Sequence, residues 1–142
     1  MDDRVKKMRA SLLQIAPDVF MKGPILFAYL YGGYAAGVVH PFSDLDIGIY
    51  VETMPIREYL KLELSTSLEI DEKLGYQVAS EVRVMNILPL MVAGNIITEG
   101  ILIFSRDEAT RIDYETSIRR TFFDFLPVIR QYQREYVALF VS

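Results

Sequence analysis

The sequence predicts one α/β domain with a mixed sheet and a helical tail, and three observations carry that reading. Two short apolar runs, at 25–31 and 45–51, are bounded by turn residues and read as buried strands. Helical periodicity precedes the first run, follows the second and dominates the C-terminal stretch. A chain of 142 residues holds one core and leaves no room for a second of similar size.

The elements follow in order. Val5, Met8, Leu12, Ile15 and Val19 recur at three- and four-residue steps, so an amphipathic helix is expected within residues 1–22. Pro17 is expected to end it early, and Gly23-Pro24 to stop it. Ile25 to Tyr31 is a strand buried on both faces, Gly32 to Ser43 a loop, and Leu45 to Val51 a second strand. Pro55 suits the first turn of a helix that Ile56, Tyr59, Leu60, Leu64 and Leu68 continue to about Lys73, where Gly75 ends it. Val78 to Ile87 reads as a third strand, with Glu81, Arg83 and Met85 on one side and Val82, Val84 and Asn86 on the other. A short helix over 90–97 and a short strand over 101–104 complete an α/β core at 25–104. Ser105 and Glu108 have capping-box spacing, which starts a helix near Arg106. Ile118, Phe122, Phe125, Ile129, Tyr132, Tyr136 and Leu139 carry that helix through a tail over 106–142, which Pro127 is expected to kink or split.

Composition removes several function classes. Apolar residues make up 51% and charged residues 24%, which argues against disorder. A net charge of −4 argues against a protein that grips nucleic acid by neutralising phosphates. It leaves a nucleotide substrate open, because metal ions supply positive charge locally. The chain has no cysteine, so thiolate sites and disulfides are excluded, and its single histidine, His40, excludes a His-rich zinc site. His40 lies in the loop and reads as a surface residue rather than a catalytic base. No stretch approaches the roughly 18 apolar residues of a membrane span, and the start lacks the layout of a signal peptide. A soluble cytoplasmic protein is expected.

The informative stretch runs from Tyr31-Gly32-Gly33-Tyr34 to Ser43-Asp44-Leu45-Asp46. A buried strand that ends in two glycines lets the backbone turn sharply and offer N–H groups to a phosphate. Ten residues later, Asp-x-Asp heads a strand, where alternation points Asp44 and Asp46 the same way. Paired carboxylates of this kind suit Mg²⁺, which takes hard oxygen ligands and bridges to nucleotide phosphates. The bland alternative is a turn before a strand with acidic residues placed by chance.

The same residues resemble the minimal nucleotidyltransferases of the polymerase-β superfamily, whose signature is Gly-Ser, ten residues, then Asp-x-Asp. Here it stands as Gly32-Gly33, ten residues, Asp44-Leu45-Asp46. Asn86, Pro89 and Glu99-Gly100 fit the family's later layout, and counting back through it puts Glu81 at the third metal-binding carboxylate. The tail Phe122-Phe123-Asp124-Phe125-Leu126-Pro127 looks like that of stand-alone members that act as antitoxins. The resemblance covers roughly residues 25 to 140. This sequence departs from the pattern at Gly33, which replaces the motif serine, and at Tyr34 and Ala36, where many relatives carry arginine. Glu81 stands where aspartate is more common, and Arg83 on the same strand face offers a compensating cation.

The resemblance implies a polymerase-β-like nucleotidyltransferase fold and metal-dependent transfer of AMP from ATP to a protein hydroxyl. Asp44, Asp46 and Glu81 would hold Mg²⁺ and do the chemistry, while Gly32, Gly33, Ser43 and Arg83 would hold the nucleotide. It also implies a partner, a HEPN-type ribonuclease toxin, with self-association left open and no direct contact with nucleic acid or membrane. Phe122, Phe123 and Phe125 cannot all face one side of a helix, which leaves aromatic surface for such a partner. The rival class is a binding module with a degenerate site that neutralises its partner by contact alone. Transfer to a small molecule is the third reading, disfavoured because the chain leaves little for an acceptor-binding domain.

Overall fold

A computed structural model describes residues 2–141. Helix α1 (Asp3–Phe20) begins at Asp2, whose carboxylate accepts from the Arg4 N–H at 2.8 Å, and buries Val5, Met8, Leu12, Ala16, Val19 and Phe20. Strand β1 (Ile25–Tyr31) follows, then a short helix α2 (Gly33–Ala36), strand β2 (Leu45–Val51) and helix α3 (Tyr59–Lys73). Strand β3 (Ser80–Val84), helix α4 (Leu90–Glu99), strand β4 (Ile101–Ser105) and helix α5 (Glu108–Val141) complete the chain.

The sheet has the order β3-β2-β1-β4. β1 lies between β2 and β4, antiparallel to both, and β3 runs parallel to β2, so the sheet is mixed as expected. Strand alternation divides β2 between two layers. Leu45, Ile47, Ile49 and Val51 enter the core shared with α1 and α3. Asp46, Gly48 and Tyr50 alternate with them and occupy the opposite face. On that face Phe27, Tyr29, Met85, Ile96 and Ile97 form a second cluster, and Phe27 stacks on Tyr50 with ring centroids 4.7 Å apart. The Tyr29 hydroxyl donates to Glu115 of α5, which Arg111 also reaches at 3.1 Å. Burial and the carboxylate together hold the Tyr29 hydroxyl well above the usual phenol range.

The structure revises several boundaries. α1 runs on past Pro17, because Val19 and Phe20 of its last turn are buried in the core. The loop from Gly32 to Ser43 contains α2. The third strand ends at Val84, and Met85–Ile87 forms a 3-10 turn that returns Met85 to the buried layer. The Asn86 amide bonds both the N–H and the C=O of Val51. Helix α3 turns inward through Tyr59, Thr66 and Ile70, while Leu60, Leu64 and Leu68 stay exposed. The last helix begins at Glu108 rather than near Arg106, and Asp107 rather than Ser105 accepts from the Thr110 N–H at 3.0 Å. It continues through Pro127 unbroken, as one helix of 34 residues.

Candidate active site

The chemistry-bearing residues collect at one end of the sheet, on the face that carries α4 and α5. Pairing puts Tyr31 of β1 opposite Asp46 of β2, and Asp46 opposite Glu81 of β3. Residues paired across strands share a face, so Tyr31, Asp46 and Glu81 stand in one row across three strands. Arg83 is two residues beyond Glu81 and pairs with Gly48 in the next row. Asp44 precedes β2 by one residue and is exposed, as is Glu81, while Asp46 is half-buried.

Asp46 shows the electrostatics of the row. Burial raises its pKa first, Glu81 and Asp44 raise it further, and Arg83 opposes them. Glu81 and Asp44 are therefore both close enough to Asp46 to repel its charge. Tyr31 feels the same field: burial and then Asp46 push its hydroxyl up, and Arg83 favours the ionised form. Tyr31 was not among the residues the motif singled out. The signal was its place at the end of a strand directly before the glycine turn.

The turn itself is built against Asp46. Gly32 adopts φ 71° and ψ −151°, a region open essentially to glycine alone. A Cβ there would stand 2.3 Å from an Asp46 carboxylate oxygen. Glycine at this position thus permits both the turn and the close seating of Asp46. Gly33 is crowded from the other side, since a Cβ would come 2.6 Å from the Val38 carbonyl oxygen. The Gly33 carbonyl accepts from the N–H groups of Gly37 and Val38, at 2.8 and 3.0 Å, which closes the loop tightly over that position. In this backbone the motif serine has no room.

Other positions take different parts from those expected. Tyr34 is fully buried in the core, so its side chain offers nothing to the site. Ala36 is exposed on the side of α2 that faces α4. Ser43 is engaged in the loop, where its hydroxyl accepts from the His40 N–H at 2.8 Å. The His40 ring accepts from the Phe42 N–H at 3.2 Å, a structural use that matches its loop position. Arg9 of α1, which periodicity alone did not mark, donates to the carbonyls of Tyr34 and Ala35 at 2.7 and 2.6 Å and anchors α2 to the body.

The donor set suits a hard cation: carboxylate oxygens of half-buried Asp46 and of exposed Asp44 and Glu81, whose charges both repel that of Asp46. Among the described residues no three such side chains stand ready-made around one point. Asp44, two residues before Asp46, and Glu81, paired with Asp46 across the strands, are both exposed.

A mixed sheet whose central strand ends in a glycine turn, beside a strand headed by paired aspartates, is the layout of the nucleotidyltransferase class. The family described as "Polymerase beta, Nucleotidyltransferase" matches residues 15–109, and the chain belongs to it. No curated protein sequence matches the chain. Among solved structures, a chain from "the toxin-antitoxin with AMP-PNP" matches with a TM-score of 0.61 at 12% identity, over 94% of this chain and 98% of that one. A chain from a mutant MntA toxin-antitoxin complex matches with a TM-score of 0.63 at 10% identity, over the same shares. A third comes from a tri-AMPylated Shewanella oneidensis HEPN toxin in complex with its MNT antitoxin, with a TM-score of 0.61 at 8% identity, over 94% of this chain and 99% of that one. At these identities the likeness establishes the fold. No helix among the described residues is long and apolar enough to cross a membrane.

Proposed function

We propose that this cytoplasmic domain transfers AMP from ATP to a hydroxyl of a partner protein, and that the partner is a HEPN-type ribonuclease toxin. The observation that carries the chemistry is the row Tyr31–Asp46–Glu81, with the Gly32 turn seated on Asp46. Asp44, Asp46 and Glu81 would hold Mg²⁺, which when bound supplies the charge that neutralises the triphosphate. Gly32 and Gly33 lead into the first turn of α2, where the N–H groups of Ala35 and Ala36 bond the Gly32 carbonyl and those of Gly33 and Tyr34 would be offered to the phosphates. Arg83 adds a cation beside the row, and Ser43 holds the loop that brings Asp44 to it. Glu81 is exposed enough to take the acceptor's proton. The acceptor oxygen then bonds to the α-phosphorus as the bond to the β-phosphate oxygen breaks, and pyrophosphate leaves. The partner reading draws support from the toxin–antitoxin complexes that share the fold and from the exposed apolar surface of α5, including Phe123, Phe125, Tyr132 and Tyr136.

One observation favours the second reading, a module that neutralises by contact alone. The crowding at Gly33 leaves no place for the motif hydroxyl. Labelled ATP and Mg²⁺ supplied to the co-expressed pair decide between the readings. Label appearing on the partner supports transfer. A stable complex whose partner keeps its mass supports contact alone and overturns the proposal.

A further inference from the structure

The active face contains a second feature that the motif does not explain. A cavity of about 590 Å³ opens between the glycine turn and α4, lined by Tyr31, Gly32, Ala36, Val92, Asn95, Ile96 and Glu99. It shares Tyr31 and Gly32 with the proposed transfer site, and its volume falls in the range of small-molecule sites. Val92 and Ile96 give it an apolar wall, and the Tyr31 ring offers a flat surface for stacking. Asn95 and Glu99 lie four residues apart on α4, so their side chains emerge from one helical face toward the same rim. Both are exposed, and no hydrogen bond or ion pair to another residue is seen for either among the described residues.

We infer that this cavity receives the nucleobase of the donor, and that Asn95 and Glu99 select adenine. The inference rests on the proposed nucleotidyl transfer and assigns to α4 the part of the substrate that the phosphate and metal residues do not touch. The chemistry follows from the inventory of donors and acceptors. An ionised carboxylate only accepts, so Glu99 calls for an N–H on the base and repels a ring carbonyl oxygen. A side-chain amide both donates and accepts, the pattern that matches the N7 acceptor and the N6 amine of adenine. The two protons of the N6 amine then serve Asn95 and Glu99 together. Hypoxanthine carries an oxygen at that position and would set it against the Glu99 carboxylate. Guanine does the same at O6.

The test is equilibrium binding of non-hydrolysable triphosphates to the full chain with Mg²⁺, by calorimetry, comparing the adenine, hypoxanthine and guanine forms. The wild type is expected to bind the adenine form about tenfold more tightly than either other, the size of discrimination one bidentate base contact provides. Glu99→Gln, which can turn an N–H toward a carbonyl oxygen, is expected to erase most of the preference for adenine over hypoxanthine. Asn95→Ala is expected to weaken the adenine form toward the others. Both positions are exposed, and equal melting temperatures show that the variants remain folded. Equal affinity for the three bases in the wild type, or a ratio unchanged by both substitutions, overturns the base-reading role and leaves nucleotidyl transfer standing. Binding of none of the three overturns both.

Discussion

The acidic end of the sheet and the far end of α5 are fixed in opposite ways. Tyr31, Asp46 and Glu81 are set in a row by pairing between three strands, and even the glycine beside them is shaped by an Asp46 oxygen. In α5, every residue from 130 to 140 is exposed, and the contacts seen there are local to the helix, such as Gln131 to Glu135 at 3.2 Å and Tyr136 against Phe140. About 16 Å of helix thus extends past Ile129, the last half-buried residue. The residues proposed for the chemistry sit where the backbone fixes positions. The surface free to meet another protein sits where nothing in the chain covers it.

The sharpest break between the regions falls between two adjacent phenylalanines. Phe122 is 5% exposed and lies where a Cβ on Gly94 would collide with its ring, whereas Phe123 is 53% exposed. Phe122→Ala is therefore expected to destabilise the domain by about 3–5 kcal/mol in chemical denaturation. Phe123→Ser should change stability by no more than about 0.5 kcal/mol. It should instead weaken the complex with the partner, measured by calorimetry or by co-purification. Equal stability losses for the two would show that the boundary between core and free tail lies elsewhere.

Next in size is a substitution at the fixed end. Asp46→Asn keeps the volume and removes one charge from the row, so AMP transfer should fall by about two to three orders of magnitude. The partner complex should survive, because its proposed surface is on α5. Loss of the complex in Asp46→Asn, with the fold intact, would join the two regions into one interface.

The sequence made the fixed end legible and the rest only in part. The apolar runs at 25–31 and 45–51 gave β1 and β2 because strands buried on both faces have a local signature. Asp44 and Asp46 followed from alternation. Glu81 came from the family resemblance alone, since the parallel pairing of β2 with β3 joins residues 35 positions apart and leaves no local trace. Tyr31 has a local signal, its place before the glycine turn, but the motif gives it no role, and only the β1–β2 pairing sets it beside Asp46. On α3 the spacing of Ile56, Tyr59, Leu60, Leu64 and Leu68 predicts the helix but not its inner face, which Tyr59, Thr66 and Ile70 form while Leu60, Leu64 and Leu68 stay exposed. The prolines overstated the breaks: burial of Val19 and Phe20 holds α1 together past Pro17, and half-buried Leu126 and Ile129 flank Pro127 within α5.

A smaller effect is expected at Gly33, where the turn meets its loop. Serine would restore the family's motif, but its Cβ would lie 2.6 Å from the Val38 carbonyl. Gly33→Ser should therefore cost about 1–3 kcal/mol through displacement of the loop and should not raise AMP transfer. Increased transfer at unchanged stability would mean that the loop opens readily and that the serine hydroxyl is the missing part.

The smallest expected effect separates charge from fold at Asp46 itself. Its pKa lies above the ordinary carboxylate value of 3.8 because of burial first, and then Glu81 and Asp44. A folded-state pKa raised in an acid means that the native state binds more protons than the unfolded chain between the two values. Stability from this group therefore falls as pH rises through that window, and the full penalty remains at neutral pH. Asp46→Asn lacks the charge, so the metal-free variant should melt about one or two degrees higher than wild type at pH 7, since half-exposure screens much of the repulsion. At pH 3, with Asp46 protonated in both folded and unfolded chains, the two should melt together. Mg²⁺ should narrow the gap at pH 7 by raising the wild type alone, because an ion that binds only the folded state stabilises it by mass action. If the variant instead melts lower at pH 7, Arg83 outweighs the two neighbouring carboxylates, and the row is held by an internal ion pair rather than prepared for a cation.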